Sequence, residues 1–238
     1  LQQLNAQALA LTQGLEERLT LAIAPELLAA HWAPSLMDLA REYPLLQVEV
    51  LAAPQGDALA LLHQGRAQLA LVFERPSMDG REGFQEVGTE TLVAVMSPQH
   101  PVWLAACQAT AAGSAPGAPT LLREEHLINT RQIVVASRNL AQSDPRFVFA
   151  RHHWRTDNHL AALGLIEAGL GWGWQPRALV QSRIEAGRLM EMPFENLSNG
   201  TELWVDVVWS KERPLGLGAT RFVALMRDSA ARRSHGLR

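Results

Sequence analysis

The feature that most constrains this chain is an alternation of short apolar runs with helix-like stretches over residues 19–73. "LTLAIA" (19–24) reads as a buried strand. The helix after it ends at "LAREYP", because Pro44 has no N–H with which to continue a helical ladder. Pro34, inside that segment, marks either a kink or the true helix start. "LQVEVLA" (46–52) is a second strand, "GDALALLHQG" (56–65) a helix closed by Gly65, and "LALVF" (69–73) a third strand. Strands separated by helices join as parallel neighbours, so the series predicts an α/β fold with a mainly parallel sheet. "TLVAVMS" (91–97) adds an apolar strand, stopped by Pro98 and Pro101.

A second series follows. Residues 108–120, "QATAAGSAPGAPT", are small, rich in Gly and Pro and without hydrophobic period, so they read as a loop or linker. Beyond them come a helix near 121–128, the strand "QIVVAS" (132–137) and a strand at either "FVFA" or "HWRT". A helix at 159–168, the strand "GWGWQ" and a helix from Pro176 to Ala186 complete the run. "LWVDVVW" (203–209) alternates as a strand does, and "GATRFVALMRDSA" closes as a helix. A chain of 238 residues is too short for two large independent domains. We therefore expect two similar Rossmann-like lobes, 18–97 plus 203–228 and 98–202, joined by crossover strands at 91–97 and 203–209. Ahead of them, Leu1, Leu4, Ala8, Leu11 and Leu15 form a narrow seam over 1–17, suited to a partner helix. Residues 229–238 read as a flexible basic tail.

Composition removes several functions. A net charge of −3 gives the body of the chain no electrostatic grip on nucleic acid. Cys107 is the one cysteine, which excludes an internal disulfide, a thiolate metal cluster and a two-thiol redox switch within this chain. No apolar run reaches the roughly 18 residues of a membrane span, and no secretory leader opens the chain, so the expected compartment is the cytoplasm, without a membrane partner. Leu1 lies inside a helical pattern, which suggests a fragment or a processed chain. His152, His153 and His159 fit no common metal-ligand spacing. No nucleophile–base order, paired carboxylates or phosphate loop stands out, so neither catalytic residues nor a metal or cofactor are expected.

In order along the chain, several stretches resemble the effector-sensing half of LysR-type transcriptional regulators. "REYPLLQVEV" is similar to that family's helix end, Tyr-Pro and following strand. "LLHQGRAQLALVFERP" resembles its Leu-x-x-Gly-x-x-Asp-Leu-Ala pattern, with Gln68 where Asp is usual, and "AVMSPQHP" resembles the strand ending at His-Pro. "WRTDNHLAALGLIEAGLGWGWQPRALVQSRIEAGRLMEM" carries the most specific match, an Ala-Gly-x-Gly strand, a proline and a Gly-Arg-Leu run. The resemblance implies two lobes like those of type II periplasmic binding proteins, with a small-molecule cleft between them. It also implies a linker helix, matching 1–17, and a winged helix-turn-helix outside this chain, through which alone DNA would be bound. A solute-binding protein of a transporter shares the fold and is the alternative; a small α/β enzyme is the third.

In parallel α/β lobes, ligands sit beyond the carboxyl ends of strands, where helix N-termini expose backbone N–H groups and favour anions. That geometry nominates Pro25, Glu26, Pro54, Phe73, Arg75, Ser97, Arg138 and the stretch 156–158 for a polar or anionic effector; Asp157 and Asn158 cap a helix, and the resemblance puts Thr156 at the cleft. In "EAGLGWGWQP", Trp172 and Trp174 share one strand face and the glycines the other, so the tryptophans fill a lobe core or line the cleft, Trp174 being the one closer to a cleft. Each indole N–H should find a partner. The helix "HLAALGLIEA" has no polar face, which predicts a homodimer or higher homo-oligomer built on Leu160, Leu163 and Ile166. The resemblance supplies the other side, the first-lobe helix bearing Leu36, Leu39 and Tyr43.

Overall fold

A computed structural model describes residues 14–29, 32–73, 80–115, 117–136, 145–195 and 198–236. Most of the expected linker helix, together with Arg75 and Arg138, lies outside the described residues. The chain divides into two compact units, residues 1–90 with 203–238 and residues 91–202.

In the first unit, β1 (Arg18–Ile23) lies between β2 (Gln47–Ala52) and β3 (Leu69–Phe73), parallel to both. β1 and β3 are apolar on both faces and almost wholly buried, as covered parallel strands are. Helix α1 (Ala33–Glu42) crosses from β1 to β2, with Pro34 in its first turn; the proline is thus the start and not a kink. Helix α2 (Gln55–His63) crosses from β2 to β3 and packs Ala58 and Leu62 on Ala22, Ala70 and Val72. Gly65, at φ +72, ends that crossover as the sequence suggested. Gln68 explains its departure from the usual Asp: its Oε1 accepts the Thr20 N–H at 2.7 Å.

Strand β9 (Thr201–Ser210) runs antiparallel to β3 and neighbours β4 (Glu82–Met96), whose start is fixed where the Lys211 N–H donates to the Arg81 carbonyl at 2.7 Å. Both strands carry the chain from one unit to the other. At 15 residues β4 is twice the strand read from the sequence, because its first half alternates polar and buried residues and lacks an apolar run. Helix α7 (Leu217–Gly236) closes this unit. Both carboxylate oxygens of Glu16 cap it, accepting the Gly218 and Ala219 N–H groups at 2.9 and 2.7 Å. Helix α7 runs on to Gly236, within the stretch expected as a tail, since Ala and Arg propagate a helix.

The second unit arranges β4, β7 (Trp172–Pro176), β5 (Gln132–Val135) and β6 (His153–Thr156) in that order, with the short β8 (Met190–Glu191) also on β4. β5 is parallel to β6 and β7, whereas β4 opposes β7. Of the two candidate strands, "HWRT" is the one that forms. Helix α3 covers Pro101–Gly113, so the loop expected from residue 108 is helical for six more residues; its alanines outweigh the missing hydrophobic period. Helices α4 (Glu124–Asn129), α5 (His159–Glu167) and α6 (Arg177–Glu185) complete the unit. Val93, Val95, Ile133, Leu163 and Ile166 form the core under α5, and Ala94, Met96, Leu122, Leu127 and Trp172 the core on the opposite face.

Candidate functional site

Each unit places a central strand between one parallel neighbour reached before the other, β2-β1-β3 in the first and β6-β5-β7 in the second. In open α/β sheets the carboxyl end of such a central strand is where ligands bind. In the first unit the Ala24 N–H donates to the Leu71 carbonyl at 3.0 Å and the Ala53 N–H to the Ile23 carbonyl at 3.1 Å, so the three strand ends stay level. Pro25 and Glu26 open a 3-10 turn at this edge, and Pro54 is the N-cap of α2. Pro54 carries no capping side chain, and the positive end of the α2 dipole faces the same edge. Gln55 ties in β3, its Oε1 accepting the Phe73 N–H at 2.9 Å. The unit thus gathers Pro25, Glu26, Pro54 and Phe73.

In the second unit the Ala136 N–H donates to the Thr156 carbonyl at 2.9 Å, which levels β5 and β6. Asn158 caps α5, its Oδ1 accepting from the Leu160 and Ala161 N–H groups at 2.8 and 3.3 Å. The Thr156 hydroxyl accepts the Asn158 N–H at 3.2 Å, so part of its hydrogen-bonding capacity serves the turn. Ser97 does not join this edge. β4 opposes β7, with Met96 level with Trp172, so Ser97 emerges at the amino end of β7, away from Thr156. There its Oγ accepts the Gln99 N–H at 3.3 Å in the turn into α3. The placement from sequence treated every strand end as equivalent, which an antiparallel neighbour breaks.

The Trp–Gly alternation separates into two jobs. A Cβ on Gly171 would lie 2.4 Å from the Arg131 carbonyl oxygen, and one on Gly173 would lie 2.7 Å from that of Ile133. Only glycine lets β7 approach β5 this closely. Trp172 is fully buried, and its indole N–H donates to the carbonyls of Leu127 and Thr130 at 3.1 and 3.2 Å. Trp174, only partly buried, sits nearer the carboxyl end, with ring centroids 6.5 Å from Phe147 and 5.9 Å from Phe149. Its Nε1–H is buried and has no hydrogen-bond partner among the described residues, where the expected pairing of the two indoles is seen for Trp172.

Sequence reasoning missed two residues here. Gln132, 1% exposed at the start of β5, donates from Nε2 to the Phe147 carbonyl and accepts the Phe149 and Ala150 N–H groups. Gln175, fully buried, meets His159 Nδ1 at 2.8 Å through Oε1. The signal available was a glutamine in an apolar strand, at the head of "QIVV" for Gln132 and after "GWGW" for Gln175, since a buried amide is kept only with partners. His159 is thereby a core residue, while His152 and His153 are exposed. Among the described residues no group of three or more His, Cys, Asp or Glu is placed to hold a metal ion. Nor is any helix there long and apolar enough to cross a membrane.

The predicted interface residues fall into two sets. Leu39, Leu163 and Ile166 are at most 1% exposed and belong to the cores of their own units. Leu160 is 65% exposed, and Ala161 and Gly164 join it on the outer face of α5; Leu36 and Tyr43 are half-buried on or beside α1.

Two α/β units that share strands β4 and β9, each with a central parallel strand, have the periplasmic-binding-protein-like fold of bacterial regulatory domains. The chain belongs to the LysR substrate binding domain family, whose pattern matches residues 12–231. It is 37% identical over 227 residues to the HTH-type transcriptional regulator AceR of Acinetobacter baumannii, covering 95% of this chain and 71% of that one. Its fold is similar to the regulatory domain of Synechocystis CcmR, solved in complex with 2-PG, at a TM-score of 0.68 and 15% identity over 90% of this chain and 98% of that one. Full-length LysG of Corynebacterium glutamicum, solved with bound effector Arg, gives a TM-score of 0.63 and 17% identity over 96% and 73%.

Proposed function

We propose that this chain is the sensing domain of a LysR-type transcriptional regulator, in which a small polar or anionic effector bound at the strand-end loops controls DNA binding by an N-terminal winged helix-turn-helix. The observation that carries the reading is the level end of β1, β2 and β3, where the turn of Pro25 and Glu26 begins, α2 starts after Pro54, and Gln55 of α2 accepts the Phe73 N–H. The helix dipole there favours an anionic or strongly accepting group. Thr156 stands at the corresponding strand-end edge of the second unit, and Arg75 and Arg138, outside the described residues, are proposed from the sequence to meet a carboxylate or phosphate bidentately. The bound effectors of LysG and CcmR support a ligand of metabolite size.

The protein acts as a homodimer in this reading. The outer face of α5, with Leu160, Ala161 and Gly164, packs on the α1 surface of a second copy around Leu36, Met37 and Tyr43. Effector binding then shifts a two-state arrangement that both the ligand and the DNA-binding heads sense.

A thermal-shift screen of the purified chain against amino acids, organic acids and phosphorylated metabolites tests the proposal. A ligand that binds only the folded state stabilises it by about 2.7 kcal/mol at 100 times its Kd, so a true effector raises Tm by several degrees in a concentration-dependent way. A panel without any such compound refutes the sensor reading.

A further inference from the structure

Three stretches of the first unit meet where the chain enters β1: residues 14–17 ahead of the strand, residues 42–46 at the end of α1, and residues 216–221 at the start of α7. Glu16 holds the first to the third. Its Oε2 and Oε1 accept the Gly218 and Ala219 N–H groups at 2.9 and 2.7 Å, and the Leu217 N–H donates to the Gly14 carbonyl at 3.1 Å. The first N–H groups of a helix have no partner within it, so a carboxylate among them is held by hydrogen bonds and by the dipole. An ordinary cap comes from the residue beside the helix, whereas this one comes from 202 positions earlier in the chain. Two glycines make room for it. A Cβ on Gly216 would lie 2.6 Å from Glu16 Cδ, and one on Gly218 would lie 2.8 Å from Leu46 Cδ2 and 3.3 Å from Glu16 Cδ. Within the same turn of α7, the Arg221 guanidinium donates to both carboxylate oxygens of Glu42, the last residue of α1, at 2.7 Å each.

We infer that Glu16 is the positioning residue that fixes the course of the chain ahead of β1, and that the first turn of α7 relays its hold to α1. The inference rests on the sensor reading above, in which that chain leads to the DNA-binding heads and α1 forms part of the dimer contact. Gly218, Ala219 and Arg221 lie within one turn of a rigid helix. A displacement of α1 that pulls on Arg221 therefore moves the two N–H groups that hold Glu16, and with them residues 14–17. A change of arrangement at the α1 surface reaches the chain ahead of β1 by this route.

Amide hydrogen exchange and ¹⁵N relaxation of the purified chain test this with Glu16→Ala, Glu16→Gln, Gly216→Ala and Glu42→Ala. Glu16→Ala should speed exchange at Gly218 and Ala219 about 10-fold or more, the loss expected for a hydrogen bond to a charged acceptor. It should also lower the heteronuclear NOE of Leu15 and Glu17. Glu16→Gln keeps one acceptor and should retain part of the protection. Gly216→Ala leaves Glu16 intact, but the new Cβ displaces the carboxylate, so it should copy Glu16→Ala. Glu42→Ala removes the grip on α1 and leaves Glu16 and its two donors in place. The relay requires it to lower the NOE of Leu15 and Glu17 as well, whereas a plain helix cap would not respond. Unchanged exchange at Gly218 and Ala219 in Gly216→Ala, or residues 14–17 as ordered in Glu42→Ala as in the wild type, overturns the inference. Should Glu16→Ala fail to fold, Gly216→Ala and Glu42→Ala decide the matter. The sensor reading fails separately, when no compound of the metabolite panel stabilises the chain, and it stands whatever these four variants show.

Discussion

Gln132 and Phe147 are joined side chain to backbone: the glutamine Nε2–H donates to the phenylalanine carbonyl at 2.6 Å, while Oε1 holds the N–H groups of Phe149 and Ala150. One buried amide therefore replaces the strand pairing that residues 147–150 lack. Gln132→Leu keeps the volume but leaves those backbone groups without their partner. It should cost about 2–4 kcal/mol in urea unfolding and raise hydrogen exchange at Phe149 and Ala150. A loss below about 0.5 kcal/mol would mean that the segment is held by its rings alone.

Trp172 and Trp174 should respond unequally to the same change. Trp172→Phe leaves a cavity in a fully buried site and strands the Leu127 and Thr130 carbonyls, so about 2–4 kcal/mol should be lost. Trp174→Phe removes a donor without a partner and should change stability by less than about 1 kcal/mol. Equal losses in thermal unfolding would contradict the division of labour between them.

Much of this architecture was legible in the order of apolar runs, because parallel strands buried on both faces announce themselves: β1, β3 and β5 all stand where "LTLAIA", "LALVF" and "QIVVAS" put them. The first half of β4 did not, since a strand with one wet face and interspersed Gly and Glu shows no apolar run. Helix α3 was hidden because alanine drives helix formation without leaving a hydrophobic stripe. At the candidate site, Pro25, Pro54 and Thr156 could be placed from strand ends alone, whereas Ser97 depended on the direction of β4, which is decided by pairing with β7 far along the chain. Gln132 and Gln175 were invisible for a related reason: an amide earns its burial only from partners that sequence does not locate.

Acid should destabilise the protein through His100. Burial lowers its pKa below the ordinary 6.5, and its neutral Nδ1 accepts the Val102 N–H at the start of α3. Because the folded state resists protonation more than the unfolded chain does, this contribution is complete above about pH 6.5 and is lost as pH falls through the lowered folded value. His100→Asn caps without titrating, so it should flatten that part of the stability–pH curve. An unchanged slope below pH 6.5 would show that other groups carry it.

Leu160 and Leu163 distinguish assembly from folding. Leu160→Glu places a charge on the exposed face of α5 and should shift sedimentation from dimer to monomer with the circular dichroism unchanged. Leu163→Glu buries a carboxylate in the core and should unfold the second unit instead. A dimer that survives Leu160→Glu would exclude this face as the contact.

The location of the effector site is most directly tested by mapping backbone amide shifts as the strongest stabilising metabolite is titrated into the chain. The account predicts that the largest shifts cluster at Ala24–Glu26, Ala53–Gln55, Phe73 and Thr156–Asn158. Shifts concentrated instead around Ser97–His100, at the opposite end of β7, would contradict it.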